Sequence, residues 1–366
     1  MIKKIKNFLF EESIYKILFI CLILQVFING IAYIESSNFL FIASNDIFTN
    51  PFSEEKNLQW ILSSYFGVLL ANFLKIQTFS GFILMHFFFL IFGLAIVIKS
   101  LSKKNEFLSR IFLILFFSMP ISNILFTWLG IQDPFTFIFS TLLVIFRSSW
   151  FSNFVLATLL SIAHSEQAII IIVLVNLFLI ITEKKANYTF LFSSVIGLCL
   201  GIFLLQYHFE INNFNIEYTR FDYIGNSGPI RYLTSTFSHF NALLFSLFNV
   251  SSYIIYKLLK NNWYNSRGVA FIICCLIAFS VTLITIDQTR VFNLLIFPIV
   301  ILFLEYNLKS LQSMSKKIFT IIFILSIFVP RYYIWEGKIF SSSHPKNIEL
   351  LKNYIKNNSE LYEKFK

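Results

Sequence analysis

The sequence predicts an all-α fold, a polytopic bundle of transmembrane helices. Three observations carry that expectation. Apolar residues fill 57% of 366 positions and the mean hydropathy is +0.74. Charged residues make up only 13%, about half of the roughly 25% usual in a soluble domain. The apolar residues also come in repeated runs separated by short polar breaks, as membrane crossings require. With 48 Phe against 11 Gly and 7 Pro, the composition excludes disorder and low-complexity linker.

Taken in order, the runs cover 17–34, 78–98, 111–129, 134–147, 153–163, 168–182, 188–207, 238–256, 268–286, 291–304 and 318–334. They give about eleven crossings, some short or broken, with the N-terminus cytoplasmic and the C-terminal tail outside the inner membrane. The first run follows Lys3, Lys4 and Lys6 as a signal peptide would, but it is longer than a signal core and lacks a small-residue cleavage site. It is therefore read as a helix. The transmembrane domain spans 1–335, with external loops over 35–77 and 208–237. The stretch around Trp60, Tyr65 and Phe66 in the first loop reads as a helix lying at the interface. The remainder, 336–366, forms a short extracytoplasmic tail, where Ile348, Leu351, Ile355 and Tyr362 fall at near-helical spacing.

Charge placement orients this map. Seventeen Lys and Arg lie in the cytoplasmic stretches, five in the external loops, and seven from Arg331 onward, as the positive-inside rule expects. The basic residues make no nucleic-acid stripe, so the net charge of +10 reflects membrane orientation. Reading 153–182 as one helix would reduce the asymmetry to 12 against 10. A break at His164-Ser165-Glu166-Gln167 preserves it, and so places irregular backbone within membrane depth, in an enclosed or water-filled cavity. Cys21, Cys199, Cys274 and Cys275 all lie inside apolar runs without metal spacing and are read as unpaired packing residues.

The four Asp of the chain, Asp46, Asp133, Asp222 and Asp287, all fall on the external side, so recognition or chemistry belongs there. Three polar clusters stand out against their apolar surroundings. Trp128 to Pro134 forms a tight turn in which Asp133 suits a helix cap ahead of Pro134 as well as a functional carboxylate. His164, Glu166 and Gln167 interrupt apolar sequence, and ionisable groups at membrane depth are functional candidates. Asp287-Gln288-Thr289-Arg290 offers either an internal ion pair or a guanidinium fork for phosphate. The second loop adds Arg220 and Arg231. His86 and His239 sit singly near helix ends and are read as structural. No P-loop, dinucleotide fingerprint, zinc signature or nucleophile elbow is present.

This order of elements resembles the GT-C superfamily of integral-membrane glycosyltransferases. A long first external loop with an acidic residue is followed by short paired helices joined by a Gly-x-x-Asp-Pro turn at 130–134, across roughly residues 10–305. The chain is similar, too, to the polymerases and transferases of bacterial capsule and exopolysaccharide clusters. Asp46 stands about a dozen residues beyond the first helix, whereas Glu35 sits at the edge where such enzymes often place their acidic motif. The resemblance implies a polyprenyl-phosphate-linked sugar donor, a glycan or lipid acceptor, and transfer on the extracytoplasmic face. The matching chemistry needs a carboxylate base, with Asp46 first and Asp133 next. It also needs a cation for the departing phosphate, from Arg290, Arg231 or Arg220. His164, Glu166, Gln167 and Asp287 would position the sugar, and a divalent metal between carboxylates and phosphate is compatible with the inventory. A lipid-linked sugar transporter or flippase is the alternative class, but no internal repeat accompanies the charges.

Overall fold

The computed structural model describes residues 2–34, 36–219, 222, 225, 233, 236–285, 287–335 and 337–341. The described helices are α1 (Ile2–Glu11), α2 (Ile14–Asn29), α3 (Ser36–Asn45), α4 (Phe66–Phe73), α5 (Phe79–Lys104), α6 (Glu106–Ser118), α7 (Pro120–Thr127), α8 (Asp133–Ile145), α9 (Trp150–Ala163), α10 (Ser165–Glu183) and α11 (Tyr188–Ile211). They continue as α12 (Phe240–Phe248), α13 (Ser252–Asn262), α14 (Ser266–Leu283), α15 (Gln288–Tyr306), α16 (Leu308–Ser313) and α17 (Lys316–Phe328). An antiparallel hairpin, β1 (Tyr332–Trp335) and β2 (Lys338–Ser341), closes the described chain. The chain is a multi-pass helical membrane protein. By length and composition six described spans can cross a bilayer, counting α12 and α13 as one, and α6 with α7 makes a seventh.

Helix breaks follow from sequence. Pro120 opens α7, and α6 and α7 meet at 66°, because proline cannot donate to the preceding turn and pushes its predecessor out of the helical region. The run 111–129 is therefore a bent pair of helices, α6 and α7, that pass the length and hydropathy test only together. His164 is extended, with φ −164° and ψ 93°, and divides α9 from α10. The run 318–334 ends earlier than its hydropathy suggests. The helix stops at Phe328, ahead of Pro330, and Tyr332 to Trp335 turn instead into a strand. These residues are aromatic and β-branched, and Gly337 takes the left-handed φ of 68° that reverses the hairpin. The stretch near Trp60 is a 3₁₀ turn, Lys56–Ser63, followed by α4. The tail from Pro345 lies outside the described residues.

Polar contacts sort the chain reversals into two ends. At one end, Ala32 N–H donates to Phe126 O at 3.0 Å, Tyr65 N–H to Ile162 O at 3.1 Å, and His208 Nε2 meets Ile47 O at 2.9 Å. The opposite end holds Arg110, Arg147 and Lys104. Arg110 clamps α1 there through Leu9 O and Glu12 O, both at 2.8 Å. Arg147 grips Glu305 in a fork at 2.9 and 3.1 Å, Lys104 joins Glu305 at 3.5 Å, and Tyr306 donates to Glu183.

The core is the parallel trio α8, α10 and α15. The first turns of α8 and α15 meet through Asp133 and Arg290, and their far ends meet through Arg147 and Glu305. The far ends of α10 and α15 meet through Glu183 and Tyr306. Every residue of α8 is buried, as is α15 from Gln288 to Leu304. At 13 residues, α8 extends only about 20 Å at 1.5 Å per residue, so the irregular backbone before it is enclosed by protein rather than lipid. Among the described residues all four cysteines are free. Close approach of α9 and α11 depends on Gly197 and Gly201. A Cβ added at Gly197 would stand 2.3 Å from Phe154 O, and one at Gly201 would stand 1.8 Å from Ser161 Oγ. This small-x-x-x-small spacing lets backbones pack without a hydrophobic drive, which lipid does not supply.

Candidate functional site

The site lies where the first turns of α8 and α15 come together, at the end of the bundle where α10 also begins. Each helix start carries roughly half a positive elementary charge, and three parallel starts on one side make that end electropositive before any side chain is counted. The turn 128–132 delivers the first of them. Gly130 has φ +85°, and a Cβ there would lie 2.5 Å from Ser37 Cβ and 2.6 Å from Ile83 Cδ1. Only glycine fits so tight a turn under α3.

Asp133 and Arg290 are 157 residues apart in sequence and in direct contact. Arg290 Nε donates to Asp133 Oδ2 at 2.8 Å, and Arg290 Nη1 donates to Asp287 Oδ2. Asp133 is completely buried, Arg290 nearly so, and the Asp287 side chain is 21% exposed. The helix begins at Asp133 itself, with Gln132 in the cap position making no side-chain cap bond. Asp133 is thus an ion-pair partner in addition to its place at a helix start. The cation lying between the two carboxylates is a guanidinium. Among the described residues no group of three or more His, Cys, Asp or Glu is placed to share a metal.

Aromatic side chains complete the recess. The guanidinium carbon of Arg290 lies 4.9 Å from the centre of the Trp128 ring, within cation–π range. Trp335 meets Trp128 edge to face at 5.9 Å. Ile124, Trp128, Asp287, Arg290, Tyr333, Ile334 and Trp335 line this space. Thr289 anchors the hairpin over it, accepting from Ile334 N–H at 2.9 Å and sharing a hydrogen bond with Ser246 at 2.7 Å. Burial, and after it the neighbouring Asp287 carboxylate, raise the Tyr333 phenol above its ordinary pKa. Tyr333 therefore stands protonated beside Asp287 at neutral pH.

The other expected residues are distributed around this centre. His164 Nδ1 lies 3.1 Å from Glu166 Oε2, which also accepts from Ser165 Oγ at 3.1 Å. These groups and buried Gln167 occupy the break and first turn of α10. Asp46 is exposed and closes a local turn, accepting from Phe48 N–H and Thr49 Oγ1 at 2.9 Å each. His208 and Tyr65 hold the adjacent Ile47 carbonyl over the end of α11. Ser37 touches the Gly130 turn, and α3 carries the chain about 15 Å onward from there at 1.5 Å per residue before Asp46 is reached. Asp46 and Arg290 are not brought into contact.

Asp222 accepts from Thr219 Oγ1 at 2.6 Å and Thr219 N–H at 2.8 Å, which holds its carboxyl below the usual range. The loop after α3 and the segment after α11 are docked together, since Glu217 N–H donates to Gln59 Oε1 at 2.7 Å and Lys56 pairs with Glu217 at 2.5 Å. Glu35, Arg220 and Arg231 lie outside the described residues.

Trp128 and Thr289 fall within the polar clusters that stand out in the sequence, whereas Tyr333 and Trp335 fall outside them. The run Tyr332 to Trp335 followed by Gly337 was the available signal, a strand and turn pattern read as the end of a helix. No family model, curated protein or solved structure matches the chain.

Proposed function

We propose that the chain is a membrane glycosyltransferase of surface-polysaccharide or glycoconjugate assembly. It takes its sugar from a polyprenyl-phosphate carrier on the extracytoplasmic face of the inner membrane, as the GT-C resemblance implies. One observation carries this reading: a buried, doubly carboxylate-held arginine stands at the start of a helix, beside an aromatic recess at the end of the bundle where the acidic residues gather. Departing phosphate needs a fixed positive field, and Arg290 with the paired starts of α8 and α15 supplies one without reorganisation. A sugar needs a flat apolar wall and fixed polar groups, which Trp128, Trp335 and Asp287 supply.

In this reaction the acceptor hydroxyl oxygen bonds to the anomeric carbon, the bond from that carbon to phosphate oxygen breaks, and a carboxylate receives the hydroxyl proton. Asp133 is assigned to orienting Arg290, since it is sealed away from any acceptor. Asp287 is assigned as the base, being the carboxylate that lines the recess and retains exposure. Asp46, at the far end of α3, is assigned to the acceptor path, and His164 with Glu166 to the floor between the two.

The test is transfer by purified protein in proteoliposomes, using a panel of radiolabelled polyprenyl-phosphate hexose donors and the lipid extract of the source membrane as acceptor. Labelled product that requires Asp287 and survives Asp46→Asn supports the assignment. Carrier that crosses the bilayer with its sugar still attached identifies a flippase instead. Product from Asp287→Asn together with none from Asp46→Asn returns the base to Asp46.

A further inference from the structure

Arg331 lies between α17 and the hairpin, and it is buried away from the Arg290 recess. Its Nη1 donates to Gln25 Oε1 at 2.5 Å and to Ser122 Oγ at 2.6 Å, and its Nη2 donates to Phe117 O. All three acceptors are neutral. Among the described residues Arg331 makes no ion pair, and its Nε–H has no hydrogen-bond partner although the residue is only 4% exposed. The Phe117 carbonyl is one of those that the α6–α7 break leaves free, so part of this arrangement is a helix cap. A cap accounts for Nη2. It accounts neither for a full charge in a buried place nor for the idle Nε–H, since uncompensated buried charge is strongly unfavourable.

The space beside the guanidinium supplies the missing term. Arg331, Gln25, Cys21, Leu24, Ile28, Phe117, Phe323, Ser326 and Ile327 line a shallow recess, open at its mouth. That mouth lies between α2 and α17, where Leu24, Ile28 and Ile327 are partly exposed. The outer faces of both helices are apolar, with Phe27 at 66% and Phe328 at 74% exposure. They face lipid. Gln25 stands five residues before the Gly30 turn, about 7 Å below the end of α2 at 1.5 Å per residue, a depth near the headgroup boundary.

We propose that Arg331 and Gln25 form a lateral phosphate-binding site, entered from the bilayer between α2 and α17 and separate from the Arg290 centre. The occupant is a lipid whose phosphate compensates the buried guanidinium and whose tails lie along Phe27 and Phe328. Planar, permanently charged guanidinium suits phosphate oxygens better than an ammonium does. The proposal does not rest on the glycosyltransferase reading, because any phosphate-bearing lipid satisfies the same groups.

The experiment measures phosphate retained per chain after prolonged detergent washing, by total phosphorus and native mass spectrometry, for the full-length protein. Wild type is expected to keep about one phosphate-bearing molecule. Arg331→Gln should reduce retention at least tenfold. Leu24→Trp, which plugs the mouth and leaves every Arg331 hydrogen bond in place, should do the same even if Arg331→Gln fails to fold. Arg290→Lys should retain the molecule. The bound mass separates phospholipid or polyprenyl phosphate, which support the proposal, from inorganic phosphate, which overturns entry from the bilayer. Wild type carrying nothing, or Leu24→Trp retaining as much as wild type, overturns the site.

Discussion

At the residue scale, Arg290 holds the site together. Its two carboxylates are inequivalent: Asp133 is sealed in the core and Asp287 borders the recess. Removing one member of a buried pair leaves the other charge uncompensated, which typically costs about 3–5 kcal/mol. Asp133→Asn and Arg290→Gln are therefore each expected to lower the apparent Tm in detergent substantially. The double variant should lose clearly less than the sum of the two singles, because it leaves no uncompensated charge in the sealed core and only the partly exposed Asp287 without its arginine. Additive losses would show that the contact contributes little. Asp287→Asn should change Tm far less while abolishing transfer, since Asp287 retains exposure to screen its loss. The Asp287–Arg290 pair was legible in sequence because its members stand three positions apart at a helix start. Asp133 was legible only as a costly carboxylate in a turn. Its partner is 157 residues away, and a single sequence with no covariation does not say which distant charges meet.

Elements place these residues, and two of them carry the consequences furthest. The hairpin roofs the recess and hangs from Thr289, whose hydroxyl serves both Ile334 N–H and Ser246. Thr289→Val keeps the shape and removes both bonds. Amide exchange over Tyr332 to Lys338 should then accelerate while α15 keeps its protection. Equal acceleration in both would mean that the hydroxyl supports the helix instead of the hairpin. The second element is the α9–α11 pair. Gly197→Leu would drive a side chain into the Phe154 carbonyl, so helix separation or overpacking of about 1–3 kcal/mol is expected, seen as a lower Tm and a poorer monodisperse yield. Cys199, between the two glycines, is exposed and should accept Leu without such loss. Breaks at polar residues were readable in the sequence, as at His164. The hairpin was hidden because Tyr, Ile and Trp satisfy a hydropathy window as well as helix formers do, and hydropathy is blind to period. Pro120 was likewise hidden inside an unbroken apolar run.

At the scale of the whole molecule, the parallel trio α8, α10 and α15 gives the bundle two chemically different ends. One holds all four Asp and the starts of the three parallel helices. The other holds the Arg147–Glu305–Lys104 lock and most of the remaining basic residues. The gathering of the four Asp at one end was expected from the sequence, because loop charges and apolar run lengths put them on one side. The positive-inside rule then predicts that the basic end is cytoplasmic. Labelling tests it directly. In a background with the four native cysteines replaced by alanine, single cysteines at Phe48 and Ile211 mark the acidic end, and cysteines at Lys185 and Tyr264 mark the basic end. Phe48, Ile211 and Tyr264 are exposed at 63%, 57% and 93%, and Lys185 is exposed as well, so access and not burial governs their reaction. An impermeant maleimide added to intact cells should label Phe48→Cys and Ile211→Cys, and should reach Lys185→Cys and Tyr264→Cys only after the membrane is opened. The reverse pattern would put the recess in the cytoplasm, where a nucleotide-activated donor would be the natural substrate. Mixed labelling within one end would break the two-ended architecture itself, since Ile211 and Lys185 lie at opposite ends of segments that share α11 as a single crossing.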